Sequence, residues 1–339
     1  MIRIAIVGFG YWGPNLVRNF SALDDCQVTT IVDLNEARLK AAKKSYPQIV
    51  MTTSVDTVIR DPQIDGIVIA TPVSSHYPLA KAALLNQKHV LIEKPLTDSK
   101  DKALELIELA DRQQKCLMVD HTFLYTGAVQ KMKAIIAQGD LGEIQYFDSI
   151  RINLGVFQSD INVIWDLAAH DVAILEYLVP EPVYSVVATG ISHTVNQVAN
   201  IAYLTLYYPS NKIAHFTVSW TSPVKIRKIL IGGAKKMLMY DDLEPTEKVR
   251  IYDTGYQINS DETKNTILVD YRIGDVMIPK VGTTEALRGV AEDFLKAIGQ
   301  GRQPISNAQT GLSVVSILEA ADNSLKNRGK EVIIRSAKS

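Results

Sequence analysis

Hydrophobic residues in the first 120 positions form short apolar runs that alternate with segments of helical periodicity. The apolar runs are 2–7, 28–32, 66–70, 89–92 and 117–119. The segments with apolar residues at helical spacing are 14–20, 35–45, 54–59, 76–86 and 99–114. Short continuous apolar runs are typical of strands that are covered on both faces of a parallel sheet. The alternation therefore predicts a βαβ series and a mostly parallel, doubly wound α/β sheet.

The pattern changes near residue 121, after which strand patterns dominate. The predicted strands are 143–153, 182–191, 200–208, 212–220, 225–231 and 236–240. The predicted helices are 127–138, 165–178, 284–299 and 307–328. Runs of strands with few helices indicate an antiparallel α+β domain. We therefore expect two domains, 1–121 and 122–339, and because no Pro/Gly/Ser linker separates them, we expect them to pack together.

The first apolar run ends in three glycines with the spacing G-x-G-x-x-G: Gly8, Gly10 and Gly13. Between a strand and a helix, such glycines allow a tight turn, let a pyrophosphate approach the backbone and let the helix pack closely on the strand. Asp33 ends the second run, 20 residues beyond Gly13, where a dinucleotide-binding fold carries the acid that binds the adenosine ribose. The alternative is a structural glycine turn, and the position of Asp33 favours dinucleotide binding over it.

Composition excludes several classes of function. The chain has 339 residues, of which 47% are hydrophobic and 22% charged, so it can bury a large core. Its net charge of −1 favours neither a nucleic-acid partner nor an anionic membrane. No apolar run approaches the roughly 20 residues that span a bilayer, and no signal peptide is recognisable. Cys26 and Cys116 are far apart in sequence, and we expect them to be reduced in a cytoplasmic protein.

Polar and titratable residues follow the predicted strands where a doubly wound sheet binds its ligand, beyond the carboxyl ends. These clusters are 70–76, 93–96 and 120–122. Another cluster, 165–171, opens a helix of the second domain and carries Asp166 and His170, which are four residues apart and share one helix face. A histidine satisfied by the neighbouring carboxylate is the structural alternative to a catalytic pair. No third ligand with sensible spacing accompanies them, so we expect no metal site.

Three motifs together resemble the Gfo/Idh/MocA family of oxidoreductases: the glycine turn, Glu93-Lys94-Pro95 and Asp166-x-x-x-His170. The resemblance covers essentially the whole chain. It implies an N-terminal Rossmann domain that binds NAD or NADP, and a C-terminal α+β domain whose open-faced, mostly antiparallel sheet holds the substrate and forms dimers or tetramers. It also implies that Lys94, Asp166 and His170 are catalytic and that the Lys94-Pro95 bond is cis.

Two further sequence motifs bear on the substrate. Residues 10–15, Gly-Tyr-Trp-Gly-Pro-Asn, and residues 120–125, Asp-His-Thr-Phe-Leu-Tyr, resemble family members associated with nucleotide-sugar and surface-polysaccharide biosynthesis. Many members carry an Asn and an Arg where this chain has residues 122–125, Thr-Phe-Leu-Tyr. Contacts made by those Asn and Arg side chains are therefore not carried over to this chain.

The expected ligand contacts follow from these motifs. The cofactor contacts are Gly8, Gly10, Tyr11, Trp12, Gly13, Asp33, Thr71, Pro72, His76, Glu93, Lys94 and His121. The substrate contacts are Lys94, Tyr125, Arg151, Asn153, Asp166 and His170. His76 and His121 could equally be structural, and Arg151 could be a solvated strand charge. Because a 2′-phosphate would bring negative charge against Asp33, we expect NAD rather than NADP.

Oxidation of an alcohol requires a hydride acceptor at the carbon and a base at the hydroxyl. Either Lys94 or His170 could be that base, with Asp166 orienting the imidazole or holding a sugar hydroxyl. We therefore expect NAD-dependent oxidation of a ring hydroxyl, on a sugar that is activated by a nucleotide. The alternatives are a ketosugar reductase that uses the same site in reverse and a non-catalytic, dinucleotide-sensing regulatory protein.

Apolar residues alternate with aromatic and hydroxyl-bearing residues in 202–208 and 215–220. One face of these strands is apolar enough for a core. The other face carries few charges, as a protein–protein interface does. The pattern predicts a homodimer or homotetramer that is joined through this sheet.

Overall fold

A computed structural model describes residues 1–155, 157, 158, 161–261 and 266–334. The chain divides into two compact units. The first unit contains Met1–Thr126 and Thr284–Ser316, and the second contains Gly127–Thr283 and Ile317–Ser339. Among the described helices, none is long and apolar enough to cross a membrane.

The described strands of the first unit are β1 (Ile2–Val7), β2 (Cys26–Val32), β3 (Val50–Thr52), β4 (Gly66–Ile69), β5 (His89–Glu93) and β6 (Leu117–Asp120). They form a parallel six-stranded sheet with the order β3-β2-β1-β4-β5-β6. All four residues of β4 and of β6 are buried, as their continuous apolar runs predicted. The doubly wound parallel sheet is therefore confirmed, and its strand order reverses between β1 and β4.

The helices between these strands begin where the sequence indicated. They are α1 (Gly13–Ser21), α2 (Glu36–Ser45), α3 (Val55–Arg60), α4 (His76–Leu85) and α5 (Lys100–Gln113). Asn35 caps α2 by accepting the backbone N–H of Ala37 at 2.9 Å, and Ser54 caps α3 through the N–H of Thr57 at 3.4 Å. Such caps satisfy backbone donors that the first helical turn leaves without partners.

The second unit is built on a large, mostly antiparallel sheet, in which β7 and β10 form the described parallel pair. Among described residues its order is β16-β13-β12-β11-β7-β10-β9-β8-β17. The strands are β7 (Ile144–Leu154), β8 (Ser185–Ile191), β9 (Ile201–Tyr207), β10 (Ile213–Ser219), β11 (Thr221–Gly233), β12 (Met237–Asp241), β13 (Val249–Tyr252), β16 (Val276–Met277) and β17 (Val332–Ile333), with a separate hairpin of β14 (Gly255–Asp261) and β15 (Thr266–Arg272). The helices α6 (Gly127–Ala137) and α7 (Ala169–Leu178) accompany the sheet. The expected antiparallel α+β unit is confirmed, while β13 to β17 were not predicted.

The two late helices, α8 (Ala286–Gln300) and α9 (Ala308–Lys326), correct the expected division of the chain. We expected residues 122–339 to form one domain, but residues 284–316 belong to the first unit. The reason is packing: Val290 and Phe294 lie in the same hydrophobic cluster as Ile4 and Phe20. The rings of Phe20 and Phe294 meet edge to face, with centroids 6.3 Å apart. An apolar helix face in a sequence does not specify which core it covers.

Candidate functional site

The glycine turn joins β1 to α1 with no room for side chains at two of its positions. Gly8 has φ +99°, and a Cβ added there would lie 2.4 Å from the carbonyl oxygen of Ala70. A Cβ on Gly13 would lie 2.4 Å from the carbonyl oxygen of Gly8. At Gly10 the nearest atom would be Nη1 of Arg38, 3.9 Å away, so the backbone there is open to a ligand. This arrangement fits a pyrophosphate held at the N-terminus of α1.

A cavity of about 1170 Å³ lies over this turn and extends along the carboxyl ends of β1, β2 and β4. It brings together seven residues that the sequence analysis assigned to the cofactor: Gly8, Gly10, Tyr11, Trp12, Asp33, Thr71 and Pro72. Apolar lining residues that were not predicted include Leu34, Pro78 and Leu79. Leu34 is 89% exposed and offers an apolar surface to a planar base.

Asp33 is held firmly at the carboxyl end of β2. Its Oδ2 accepts the N–H of Phe9 at 2.7 Å, and its Oδ1 accepts the N–H of Asn35 at 2.8 Å. The first turn of α2 also brings Nη1 of Arg38 within 3.5 Å of Oδ2. In sequence Arg38 is simply five residues beyond Asp33, whereas the structure shows a cation beside the carboxylate. Because Arg38 compensates part of the charge, we expect a smaller penalty for a 2′-phosphate than Asp33 alone would impose.

His76 connects two of the loops that follow strands. Its Nδ1 lies 2.9 Å from the carbonyl oxygen of Pro95, and its Nε2 lies 2.8 Å from that of Thr71. The side chain is buried, and this burial lowers the pKa of His76. The expected cis bond between Lys94 and Pro95 is confirmed. His76 was predicted to contact the cofactor, but its ring nitrogens face backbone carbonyls, so its evident role is to hold these loops together.

A buried acidic pair lies at the carboxyl ends of β5 and β6, beside Lys94. Glu93 and Asp120 are register partners, and Thr122 donates its hydroxyl to Oδ1 of Asp120 at 2.7 Å. Burial, reinforced by the nearby Asp120, raises the pKa of Glu93 well above its usual value. Burial also raises the pKa of Asp120 to about 6. Burial and the charge of Lys94 lower the pKa of His121 to about 3.

Tyr125 has a different environment from the one predicted. Its hydroxyl donates to Oδ2 of Asp293 at 2.7 Å and accepts the N–H of Ser306 at 3.1 Å. Both partners lie in the late segment that packs on the first unit. We expected Tyr125 to bind substrate, but its hydroxyl instead fastens residues 284–316 to the end of β6. The sequence could not show this contact, because the partners are more than 160 positions away.

Asp166 and His170 lie at the start of the helix that the second unit carries beside its sheet. Ile164–Ala168 form one π-helical turn, and α7 continues directly from it with His170 as its second residue. Such turns occur often at functional sites. The buried indole of Trp220 donates Nε1–H to Oδ2 of Asp166 at 2.9 Å. This contact was not predicted because Trp220 fits the apolar alternation of the predicted strand 212–220, although a buried tryptophan usually needs an acceptor.

Arg151 lies on β7 and is buried, with 2% of its side chain exposed. Its Nε and Nη2 donate to the two carboxylate oxygens of Asp171 at 2.9 and 2.5 Å, and Ser149 donates to the same carboxylate at 2.7 Å. We expected Arg151 to bind substrate. The structure instead shows a fork-shaped ion pair that ties the residue after His170 to the sheet.

Asn153, the other predicted substrate contact on β7, lies two positions beyond Arg151 and is partly buried. A Cβ added to Gly155 would lie 3.2 Å from Nδ2 of Asn153 and 2.8 Å from Cδ1 of Trp220. Asn153 is therefore close to the tryptophan that holds Asp166. Its assignment as a substrate contact stays a prediction.

Replacing Arg151 by methionine should lower the free energy of unfolding by about 3–5 kcal/mol, because Asp171 would keep a buried charge without its partner. Urea denaturation measures this loss. The matched control is Arg250→Met, which removes the more exposed pair with Glu247 and should change the stability much less, because solvent screens an exposed ion pair. Unchanged stability of Arg151→Met with a raised KM would instead return Arg151 to substrate binding.

Replacing Asp33 by asparagine should reduce the preference for NAD over NADP by about 10- to 100-fold, because the carboxylate repels a 2′-phosphate. Calorimetric titration of each variant with both cofactors measures the ratio of affinities. Arg38→Gln should act in the opposite direction and increase the preference for NAD. Wild-type protein that binds NADP as tightly as NAD would contradict the role given to Asp33.

Residues 2–121 match the family described as the oxidoreductase family with an NAD-binding Rossmann fold, and residues 129–239 match the GFO/IDH/MocA C-terminal domain. The uncharacterised oxidoreductase YdgJ of Escherichia coli is 26% identical to this chain, over 96% of this chain and 97% of YdgJ. UDP-N-acetylglucosamine 3-dehydrogenase of Acidithiobacillus ferrooxidans is 25% identical, over 93% of this chain and 94% of the enzyme.

The solved structures that resemble this chain have the same fold. A structure of the Acidithiobacillus ferrooxidans enzyme has a TM-score of 0.80 at 23% identity, covering 96% of this chain and 98% of that chain. An oxidoreductase from Agrobacterium radiobacter, solved with NAD⁺, L-tartaric acid and magnesium, has a TM-score of 0.81 at 17% identity and covers 98% of both chains. The glycine turn, the acid that ends β2 and the two matched domains together lead to one conclusion: the chain belongs to the Gfo/Idh/MocA family of NAD-binding oxidoreductases.

Proposed function

We propose that this protein oxidises a ring hydroxyl of a nucleotide-activated sugar, with NAD⁺ as the hydride acceptor. The observation that carries the proposal is the anchoring of Asp166. Its carboxylate accepts a hydrogen bond from the buried Trp220 indole, four residues before His170. A carboxylate held in this way can orient an imidazole or a sugar hydroxyl without first losing side-chain freedom.

The proposed chemistry divides between the cofactor and three side chains. When bound, NAD⁺ supplies the acceptor for the hydride that leaves the carbon. Lys94 or His170 takes the hydroxyl proton, and both assignments remain open. Lys94 directly follows β5, on the edge where a doubly wound sheet binds its ligand. Asp166 orients the imidazole or holds a neighbouring hydroxyl of the sugar.

Two observations support a nucleotide sugar as substrate. One is the relative named UDP-N-acetylglucosamine 3-dehydrogenase, which is 25% identical over nearly the whole chain. The other is the motif at residues 10–15, which places Tyr11 and Trp12 in the glycine turn, 84% and 44% exposed. Exposed aromatic rings at a cleft can pack against a sugar face or a base.

The test of substrate class is an assay of the purified protein with NAD⁺ and a panel of UDP- and GDP-linked sugars, followed by absorbance of NADH. Turnover of at least one nucleotide sugar, and none of its free sugar, is expected. Turnover of ketosugars with NADH alone would favour the reductase. Binding of NAD without turnover of any panel member would favour the sensing role.

His170→Ala should lower kcat by about 10²–10⁴, the usual contribution of a positioned proton acceptor. Lys94→Ala should cost as much or more, because the lysine also helps to position the hydroxyl. Steady-state kinetics on the best substrate measures both losses. NAD affinity should change little in His170→Ala, since that residue belongs to the second unit.

The double variant Lys94→Ala with His170→Ala should lose far less kcat than the product of the two single losses, because the effects of groups that act together are not multiplicative. Lys102→Ala is the matched control, since Lys102 is partly exposed and pairs with Asp98. Near-normal turnover in both single variants would rule out this mechanism. Loss of NAD binding alone in His170→Ala would move that residue to the cofactor side.

We also propose that the open face of the second unit's sheet joins two or four copies of the chain. Tyr203 on β9 and Ile150 on β7 both flank Thr217 of β10 in register, so one row runs across the sheet. The exposed side-chain fractions are 46% for Tyr203 and 37% for Ile150, and 41% for Tyr207 on the same face. Aromatic residues with few charges are typical of the buried centre of an interface.

Tyr203→Arg should therefore weaken assembly, because it would bury an unpaired charge in the interface. Light scattering at micromolar concentration should give a dimer or tetramer for the wild-type protein and a smaller species for the variant. Leu85→Arg, at an exposed leucine of the first unit, is the control and should assemble normally. A wild-type monomer would refute the proposed interface.

A further inference from the structure

We propose that the carboxyl groups of Glu93 and Asp120 hold one shared proton, release it when NAD⁺ binds, and accept a proton from the catalytic base after hydride transfer. This rests on the oxidation proposed above, because that reaction supplies the second proton. The pair would thus be the destination of the proton that leaves the sugar hydroxyl.

The geometry of the pair carries the proposal. Glu93 and Asp120 are the last residues of neighbouring parallel strands and are paired in register, so their side chains share one face of the sheet. Asp120 is 2% exposed, and its carboxyl is hydrogen-bonded to the carboxyl of Glu93. His121 is 1% exposed, and neither of its ring nitrogens has a described partner.

The two ring nitrogens of His121, buried without a described partner beside this carboxyl pair, are costly. An unsatisfied buried polar group costs about 1–3 kcal/mol, and native structures contain few of them. Apolar side chains of similar size would make this end of the sheet more stable. A cluster of titratable groups that is retained at such a cost, at the ligand edge of the sheet, is typical of a functional site.

The charges around the pair favour one shared proton near neutral pH. The titratable groups of the first unit that face it are Lys94, His121 and Tyr125. Lys94 opposes protonation of Glu93, but burial and the charge of Asp120 are larger effects and raise the pKa of Glu93. Burial makes His121 a weak base and raises the pKa of Tyr125, so both remain neutral.

The pair lies on the side of the sheet where the nicotinamide half of a dinucleotide binds. The strand order reverses between β1 and β4, and the two halves of a dinucleotide lie on either side of that point. Asp33, which fits the adenosine ribose, ends β2 on one side. Glu93 and Asp120 end β5 and β6 on the other.

Charge then balances through the reaction. Before binding, the pair carries one negative charge and one proton. A positive nicotinamide ring favours loss of that proton, so two carboxylates and one positive ring again sum to one negative charge. During oxidation the C–H bond breaks and its electron pair leaves as hydride, the O–H proton passes to the base, and a carbonyl forms. Because the reduced ring is neutral, the base can pass its proton to the pair and restore the starting charge.

Calorimetry of cofactor binding to the full chain tests this without any sugar. NAD⁺ and NADH are titrated at about pH 7 in two buffers with different ionisation enthalpies, which gives the number of protons released on binding. We expect close to one proton for NAD⁺ and clearly fewer for NADH. The isosteric double variant, Glu93→Gln with Asp120→Asn, should release almost none with either cofactor.

Lys94→Arg is the matched control, because a positive ring could also expel a proton from the lysine, whereas arginine keeps the positive charge beside Glu93 and does not release a proton. It should keep the difference between NAD⁺ and NADH. Equal release with both cofactors, or release that persists in the carboxyl double variant, would overturn the proposal. Loss of release in Lys94→Arg would assign the proton to the lysine instead. If the carboxyl variant loses release while Lys94→Ala and His170→Ala keep normal turnover, the proposed oxidation mechanism fails and the proton-holding pair stands.

Thermal unfolding of Asp120→Asn shows whether the pair can be altered in a folded protein. The pKa of Asp120 is raised from 3.8 to about 6 in the folded chain, so the stability linked to its proton is present in acid and lost as pH rises through about 6. Asp120→Asn should therefore unfold at a higher temperature than the wild type near pH 8, and this gain should shrink toward pH 5. A variant that is less stable than the wild type near pH 8 would contradict a buried, uncompensated carboxylate.

Discussion

The first unit depends on how closely three backbone segments approach one another at the end of β1. A Cβ at Gly8 would collide with the carbonyl of Ala70, and a Cβ at Gly13 would collide with the carbonyl of Gly8. Removing either glycine would push α1 away from β1 and β4 together. The same closeness leaves the backbone of Gly10 open, so one steric constraint both fixes the helix and creates the phosphate-binding surface.

The second unit positions its polar residues by a different means. Two hydrogen-bonded contacts hold the start of α7 against the sheet: the partly buried contact of Trp220 with Asp166 and the buried contact of Arg151 with Asp171. They lie on either side of His170 in sequence, so the helix can neither slide nor rotate without breaking one of them. A buried ion pair adds little net stability, but losing one partner is costly, which makes such a pair suited to fixing a position.

The sequence was informative where a pattern is local and uninformative where a contact is distant. Continuous apolar runs predicted β1, β2, β4, β5 and β6, and the glycine spacing predicted the turn. The strands β13 to β17 lie in short or polar segments, where period-two alternation is weak. Tyr125 and Arg151 were expected to bind substrate, and the hydrogen bond of Trp220 to Asp166 was not predicted, for a common reason. Each has a partner in another element of the fold, and residue type alone does not say whether a polar atom faces a ligand or another part of the fold.

Asp33 and Asp120, which lie at the carboxyl ends of β2 and β6, show how two aspartates of one sheet acquire different chemistry. Asp33 accepts two backbone N–H groups and lies beside Arg38, so its charge is compensated within the fold. Asp120 accepts a threonine hydroxyl on one oxygen, and its other partner is the carboxyl of Glu93, which can itself gain or lose a proton. A compensated carboxylate is a fixed acceptor for ribose hydroxyls, whereas an uncompensated one responds to any charge that arrives nearby. An uncompensated carboxylate such as Asp120 therefore suits a nicotinamide ring, whose charge changes in the reaction. A compensated carboxylate such as Asp33 suits the ribose, whose charge does not change.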